Sequence, residues 1–351
     1  MTHRRIILVT LVLALVSSGL ARATETDAER IQRSLWHYGD TSGEWSGADG
    51  AYSVSLGDGR TAWLFSDTFY GPVDAETRTR PSGTPLVNNT ILVQAGESFT
   101  THAGRTLTGG PSALVATDDQ NAATWYWMGD GTVVGDKLHV FVLRFTRPIQ
   151  QLADDIATFS LPSMTFEGLT RLPLGFSPAI GATLVGWGAA VMERPDATYI
   201  YGLEDLHSEK YLHVARAQDL FEPWEYWDGA GWSPNSLTSA RLLDGISNEF
   251  SVHATENGYV LVGQDHGINP DVIACRAGAP EGPWEACRTV FETPETQGNV
   301  FTYNAKAHPQ LGAEGTLVIS YNVNTTSFAQ HFANIDIYRP RFVEVPLPDG
   351  F

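Results

Sequence analysis

Tyr52-Ser53-Val54-Ser55-Leu56, the turn Gly57-Asp58-Gly59, then Thr61-Ala62-Trp63-Leu64-Phe65-Ser66-Asp67 reads as a tight antiparallel hairpin. An alternating strand meets glycines that supply the turn, and an apolar, aromatic strand returns. The same unit recurs along the chain. Asp130 to Val134, Gly135-Asp136 and Lys137 to Phe145 make a second hairpin, and Gly188 to Met192, Pro195-Asp196 and Thr198 to Leu203 a third. Phe250 to Thr255, Asn257-Gly258 and Tyr259 to Gln264 make a fourth, and Ala305 to Leu311 with Thr316 to Val323 a fifth. The spacing is roughly 50 to 60 residues, the period of a repeat architecture.

Two hairpins are followed by a third strand and a decorated turn. His213-Val214-Ala215-Arg216 leads to Pro223-Trp224-Glu225, and Ile273-Ala274-Cys275-Arg276 leads to Pro283-Trp284-Glu285. Each reads as the outer half of a four-stranded blade. A flat sandwich has no reason to repeat such a unit, whereas a propeller needs it, because each blade buries its faces only against its neighbours. The expected fold is all-β, a five-bladed β-propeller. Helical patterning is sparse: Asp27 to Leu35 repeats apolar residues at helical spacing, and Ile149 to Ile156 has room for a second turn or short helix.

The first 23 residues read as an address. His3, Arg4 and Arg5 precede an apolar run from Ile6 to Val16, and Ala21-Arg22-Ala23 matches a signal-peptidase site. The run is shorter than the ~18 to 20 residues of a membrane span. The expectation is therefore a cleaved signal peptide over 1–23 and a single propeller domain over 24–351. The protein would be secreted, extracellular or periplasmic, and act as a monomer without a membrane partner. With a formal net charge of −18, nucleic acid and anionic membranes are poor partners, while a neutral polysaccharide meets no net repulsion. The two cysteines, Cys275 and Cys287, bracket a Gly/Pro-rich turn, and in an oxidising compartment they are expected to form a disulfide across one hairpin. No phosphate loop, H-E-x-x-H motif or Cys cluster appears, so neither a metal nor a cofactor is expected.

In a propeller the innermost strands line the central channel, with alternate residues facing it. In Tyr303-Asn304-Ala305-Lys306-Ala307-His308, the residues Asn304, Lys306 and His308 share one face; Lys306 is one of three lysines in the chain. Glu249, Ser251 and His253 alternate in the same way. The first hairpin supplies Asp49 at the entry of its first strand and Asp67 at the end of its second, so antiparallel pairing brings both carboxyls to one end. An acid and a base flanking a scissile bond is what glycoside cleavage requires. Glu249 is the reserve acid. Trp125 and Trp127, before Gly129-Asp130-Gly131, offer aromatic faces to sugar rings. Asp130, Asn89, and the pair Asn322 and Asn324 offer polar groups to hydroxyls. Asn304, Lys306, His253 and His308 complete the expected substrate-binding set.

Gly47-Ala48-Asp49-Gly50-Ala51-Tyr52-Ser53-Val54, Asp58-Gly59-Arg60 and Trp63 to Phe69 resemble the opening of a family of secreted five-bladed propellers. Its characterised members are endo-D-arabinanases of glycoside hydrolase family 183, which cleave the D-arabinan of mycobacterial cell walls. Val87-Asn88-Asn89-Thr90, Gly129-Asp130-Gly131, Asn248 to Val252 and Tyr303 to Pro309 are similar too, so the resemblance runs through most of the chain. It implies catalysis by two first-blade aspartates, here Asp49 and Asp67, without telling which is the acid. A non-catalytic carbohydrate-binding propeller on the same scaffold is the alternative.

Overall fold

The computed structural model describes residues 25–118, 123–172, 185–206 and 209–351, so the leader expected over 1–23 lies outside the described residues. Five antiparallel sheets follow one another in chain order as the blades of a propeller. Each begins with its innermost strand: Trp45–Ser55, Thr124–Val134, Val185–Glu193, Phe250–Thr255 and Val300–Ala307. Each then steps outward through the hairpin partner, Arg60–Tyr70, Lys137–Thr146, Thr198–Asp205, Gly258–Gln264 or Thr316–Thr325. All five expected hairpins are these pairs. The fifth inner strand stops at Ala307 instead of running to Leu311, since Pro309 has no N–H to extend the ladder.

The core is not one mass but five apolar layers, one between each pair of neighbouring blades. Tyr52, Leu64 and Ile91 of blade 1 meet Tyr126, Met128 and Val140 of blade 2. Phe141 and Ile156 of blade 2 meet Trp187 and Ile200 of blade 3. Similar layers join blades 3 and 4 and blades 4 and 5. Such face-to-face burial is what makes a repeated blade stable only in company. At Gly188 the approach is so close that a Cβ would lie 2.2 Å from the Phe141 ring.

The fifth layer, between blades 5 and 1, differs because blade 5 has three strands, the outermost being Arg341–Pro346. The helix Asp27–Thr41 fills in beside it. Thr26 and Glu29 form a capping box, and Ala28, Ile31 and Leu35 are buried on one face. That face packs with Trp45, Trp63, Phe65 and Phe342. Gln32 Oε1 accepts from the Phe342 N–H at 2.9 Å, and the Tyr38 hydroxyl bonds Thr101 of blade 1 at 2.6 Å. The helix thus clasps the last blade to the first.

The repeated Arg and Pro-Trp-Glu segments have a shared cause. Arg216 stands opposite Glu225 and Arg276 opposite Glu285 in neighbouring strands, and both pairs form cross-strand ion pairs. Trp224 and Trp284 are buried under them. Cys275 and Cys287 form the expected disulfide within the outer hairpin of blade 4. The expected helix near Ile149 is not there: Gln150–Ser160 is a strand, paired on one side with Lys137–Thr146 and on the other with Thr165–Arg171. Two ladders outweigh a weak local helical spacing.

Replacing both cysteines by alanine should lower the free energy of unfolding by about 3 kcal/mol, the chain-entropy value for so short a loop. Urea denaturation under oxidising conditions measures it; an unchanged midpoint would show that the bridge constrains nothing.

Candidate active site

The innermost strands of four blades share one irregularity. Their ladders slip at Ala48 to Tyr52, Met128 to Gly131, Trp187 to Ala190 and Tyr303 to Lys306. Bulges re-aim side chains, and here they do so at one level of the ring. Ala51 and Asn304 adopt left-handed backbone at these bulges, with φ of 64° and 58°. Tyr338, in the loop that follows the second strand of blade 5, has φ 72°. Three non-glycine residues in this region beside one carboxyl is the clustering of strain typical of working sites. Arg339 holds the Tyr338 loop in place. It is fully buried, donating to the Ser46 carbonyl at 2.9 Å and to Asp40 at 2.9 Å. A Cβ on Gly47 would lie 2.5 Å from the Tyr338 carbonyl oxygen, so only glycine allows this approach.

A cavity of about 930 Å³ opens at the end of the ring where the innermost strands begin, lined by residues that include Asp49, Tyr52, Trp127, Glu249, Tyr303 and Asn304. Asp49 sits at its base. Two phenols, Tyr303 at 2.8 Å and Tyr338 at 2.9 Å, donate to its Oδ2, while its Oδ1 has no hydrogen-bond partner. Burial, then the negative charges of Asp67 and Glu249, push the Asp49 carboxyl up to about 8, against the partial relief of the two phenols. It therefore carries a proton at neutral pH.

Asp67 lies beside this group, at the end of the neighbouring strand, as the hairpin geometry predicts. Trp127 Nε1 at 3.0 Å and Asn88 Nδ2 at 3.1 Å donate to its Oδ1. Burial raises its pKa, opposed by these donors and by Arg147. Glu249 faces Asp49 from blade 4. Asn304 donates to its Oε1 at 2.7 Å and the Lys306 ammonium stands 2.6 Å from its Oε2. Trp127 and Phe145, ring centres 4.6 Å apart, wall the cavity, and Trp125 packs against both rings without lining it.

Several expected binding residues are placed elsewhere. Lys306 is 1% exposed: besides Glu249 it bonds the Gly50 and Asn304 carbonyls and lies over the Tyr52 ring, so it positions the site without reaching the main cavity. His308 belongs to a second, smaller cavity of about 400 Å³ at the opposite end of the channel. It is held between Ser53 at 2.6 Å and Ser320 at 2.8 Å, with its pKa lowered to about 3 by burial and then by Lys306. Asp130 lines that cavity too, accepting from the Val191 and Gly131 N–H groups at 2.8 Å and linking blades 2 and 3. His253 is buried and lines neither cavity; burial lowers its pKa to about 4. Asn89 is fully enclosed, its amide bonding Val115 and the Tyr126 carbonyl, so it joins blades instead of meeting substrate. Asn322 and Asn324 also turn inward: Asn322 accepts from the Gly50 N–H at 3.2 Å, and Asn324 donates to Tyr303 at 3.1 Å. On the fifth inner strand the bulge between Tyr303 and Lys306 divides the polar face, leaving Asn304 at the main cavity and Lys306 and His308 at the smaller one. Tyr303 and Tyr338 were missed, since a tyrosine beside apolar residues carries no mark of a polar partner.

Among the described residues no group of three or more His, Cys, Asp or Glu is placed to hold a metal ion. The fold and site define a five-bladed propeller with a carboxyl-rich, aromatic-walled central cavity. The chain belongs to the family described as a domain of unknown function, DUF5005, whose model matches residues 33–346. No curated protein matches it. Among solved structures it is similar to a candidate hydrolase from Bacteroides ovatus, at 24% identity and a TM-score of 0.71 over 86% of each chain. More distant likenesses are a candidate exo-β-1,3-galactanase from Bifidobacterium bifidum and a family 117 glycoside hydrolase from Zobellia galactanivorans. The first has 12% identity and a TM-score of 0.51 over 89% of this chain and 92% of the other. The second has 11% identity and a TM-score of 0.50 over 88% and 84%. At these identities the likeness shows a shared fold.

The raised Asp49 carboxyl has a thermodynamic signature. Its folded pKa, about 8, exceeds the unfolded value near 3.9. The folded state thus keeps a proton that the unfolded chain releases, and stability falls as pH rises from about 4 to about 8. Asp49→Asn should remove that component. In denaturation at pH 5, 7 and 9 the variant should gain on the wild type as pH rises, over the slope left by Asp130 and Asp154, each pushed to about 7. Parallel curves would refute the protonated assignment.

Proposed function

We propose that this protein is an exported glycoside hydrolase in which Asp49 and Asp67 act as acid and ionised partner. The observation that carries the reading is the Asp49 carboxyl, bonded by two phenols and lining with Glu249 a cavity walled by Trp127 and Phe145, with Asp67 beside it. Asp49 holds its proton at neutral pH and can give it to a glycosidic oxygen. Asp67, braced by Trp127, Asn88 and Arg147, supplies the negative charge opposite the developing oxocarbenium ion, as base or nucleophile. Glu249, paired with Lys306, contributes the charge that helps keep Asp49 protonated. Kinship in fold with glycoside hydrolases supports the class of reaction. The motif resemblance to endo-D-arabinanases supports a furanosidic polymer, with mycobacterial-type D-arabinan as the first substrate to try and internal cleavage as the mode.

Incubated with mycobacterial arabinogalactan, the wild type should release new reducing ends. Asp49→Asn and Asp67→Asn should each lower kcat/KM at least about 100-fold. Glu249→Gln should fall less; a loss equal to that of Asp67→Asn would put Glu249 in the pair instead. Activity should decline as pH rises through about 8, where Asp49 loses its proton. Binding without new reducing ends in a panel of polysaccharides would make this a carbohydrate-binding propeller. Cleavage of another polysaccharide alone would keep the hydrolase and discard arabinan.

A further inference from the structure

Asp49 is held by a chain of hydrogen bonds whose polarity is set far from the cavity. The Thr325 N–H lies 2.7 Å from Asn324 Oδ1. A main-chain N–H can only donate, so that end of the amide is oxygen and the other end is NH2. The NH2 stands 3.1 Å from the Tyr303 hydroxyl and donates to it. The Tyr303 proton is thereby turned away from Asn324 and toward Asp49 Oδ2, at 2.8 Å. Tyr338 donates to that same oxygen, leaving Oδ1, itself buried, as the oxygen of the carboxyl that accepts no hydrogen bond.

The chain continues outward. His331 Nε2 is 2.8 Å from Asn324 Oδ1, and its Nδ1 is 3.1 Å from the Phe328 carbonyl. Since Asn324 Oδ1 accepts, Nε2 must carry hydrogen. The Phe328 carbonyl can only accept as well and favours a second hydrogen on Nδ1, while burial and the Arg80 guanidinium, bonded to the His331 carbonyl, oppose the imidazolium; in either form Nε2 bears the hydrogen that Asn324 accepts. His331 is 4% exposed and sits in the short helix Gln330–Ala333.

We propose that Asn324 and His331 are positioning residues: by fixing the direction of the Tyr303 hydroxyl they keep both phenols donating to Oδ2 and so confine the Asp49 proton to Oδ1. This rests on the reading of Asp49 as the acid. The charged groups acting on Asp49 are Asp67 on its own hairpin and Glu249 from blade 4, the latter paired with Lys306 of blade 5.

The test uses the full chain and reads Asp49 directly, by 13C-carboxyl NMR titration assigned by difference from Asp49→Asn. Asn324→Asp keeps the oxygen that Thr325 and His331 need but removes the NH2, so Tyr303 donates to residue 324 instead of Asp49. The Asp49 titration should rise by about one pH unit, with kcat reduced at least tenfold and KM within about twofold. Tyr303→Phe should give the same upward shift, and adding Asn324→Asp to it should move the titration little further, which separates the relay from a through-space charge. His331→Gln, which keeps an N–H donor, should retain the wild-type titration, and His331→Leu should not. An unshifted Asp49 in Tyr303→Phe, or an Asn324→Asp shift undiminished in the Tyr303→Phe background, would overturn the proposal. If the wild type cleaves no polysaccharide the proposed function fails, yet the titrations still decide the relay.

Discussion

The Lys306 ammonium is buried where blades 1, 4 and 5 meet. It bonds the Gly50 carbonyl of the first blade and Asn304 of its own strand, and stands 2.6 Å from the Glu249 carboxylate of the fourth blade. A charge taken so far out of water is tolerable only when its partners surround it. Those partners exist only if the ring has closed in the right register. In the same closed ring Asp49 lies within reach of Tyr303 and Tyr338, and Lys306 packs over the ring of Tyr52 behind the cavity wall. Ring closure and assembly of the site are therefore one event.

Closure is reinforced at the rim by a different physics. The helix Asp27–Thr41 adds apolar contact where blade 5 lacks a fourth strand, while Arg339 ties the loop between the second and third strands of blade 5 to Ser46 and Asp40. Arg80, its guanidinium over the Phe69 ring and bonded to the Ser46 and His331 carbonyls, braces the same corner. This rigid frame is what keeps Tyr338 in its left-handed conformation, and with it the second phenol on Asp49. The surroundings of the Asp49 carboxyl are thus set by two phenols and by cations buried behind them.

Much of this was legible beforehand. Turn glycines, alternating strands and the Arg to Pro-Trp-Glu repeat are local signals, and they mark blades because hairpins form between neighbours in sequence. The disulfide was legible for the same reason. Asp49 and Asp67 could be paired on paper because one short turn joins their strands. The errors concern partners distant in the chain. Asn89 serves a junction with the next blade, and His308 and Asp130 face the smaller cavity; the strand from Gln150 is a separate case, formed by ladders with its neighbours in sequence.

By itself, then, the sequence determined the blade count, the hairpins and which residues carry charge, since each depends on spacing within a few residues. Tertiary structure alone decided which of those charges share a hollow, which oxygen of Asp49 stays unpartnered, and that Lys306 serves a carboxylate instead of a ligand. The physical reason is that bulges rotate side chains partway along a strand, and the energies that set a proton depend on distances across the ring. Blades far apart in sequence fix those distances.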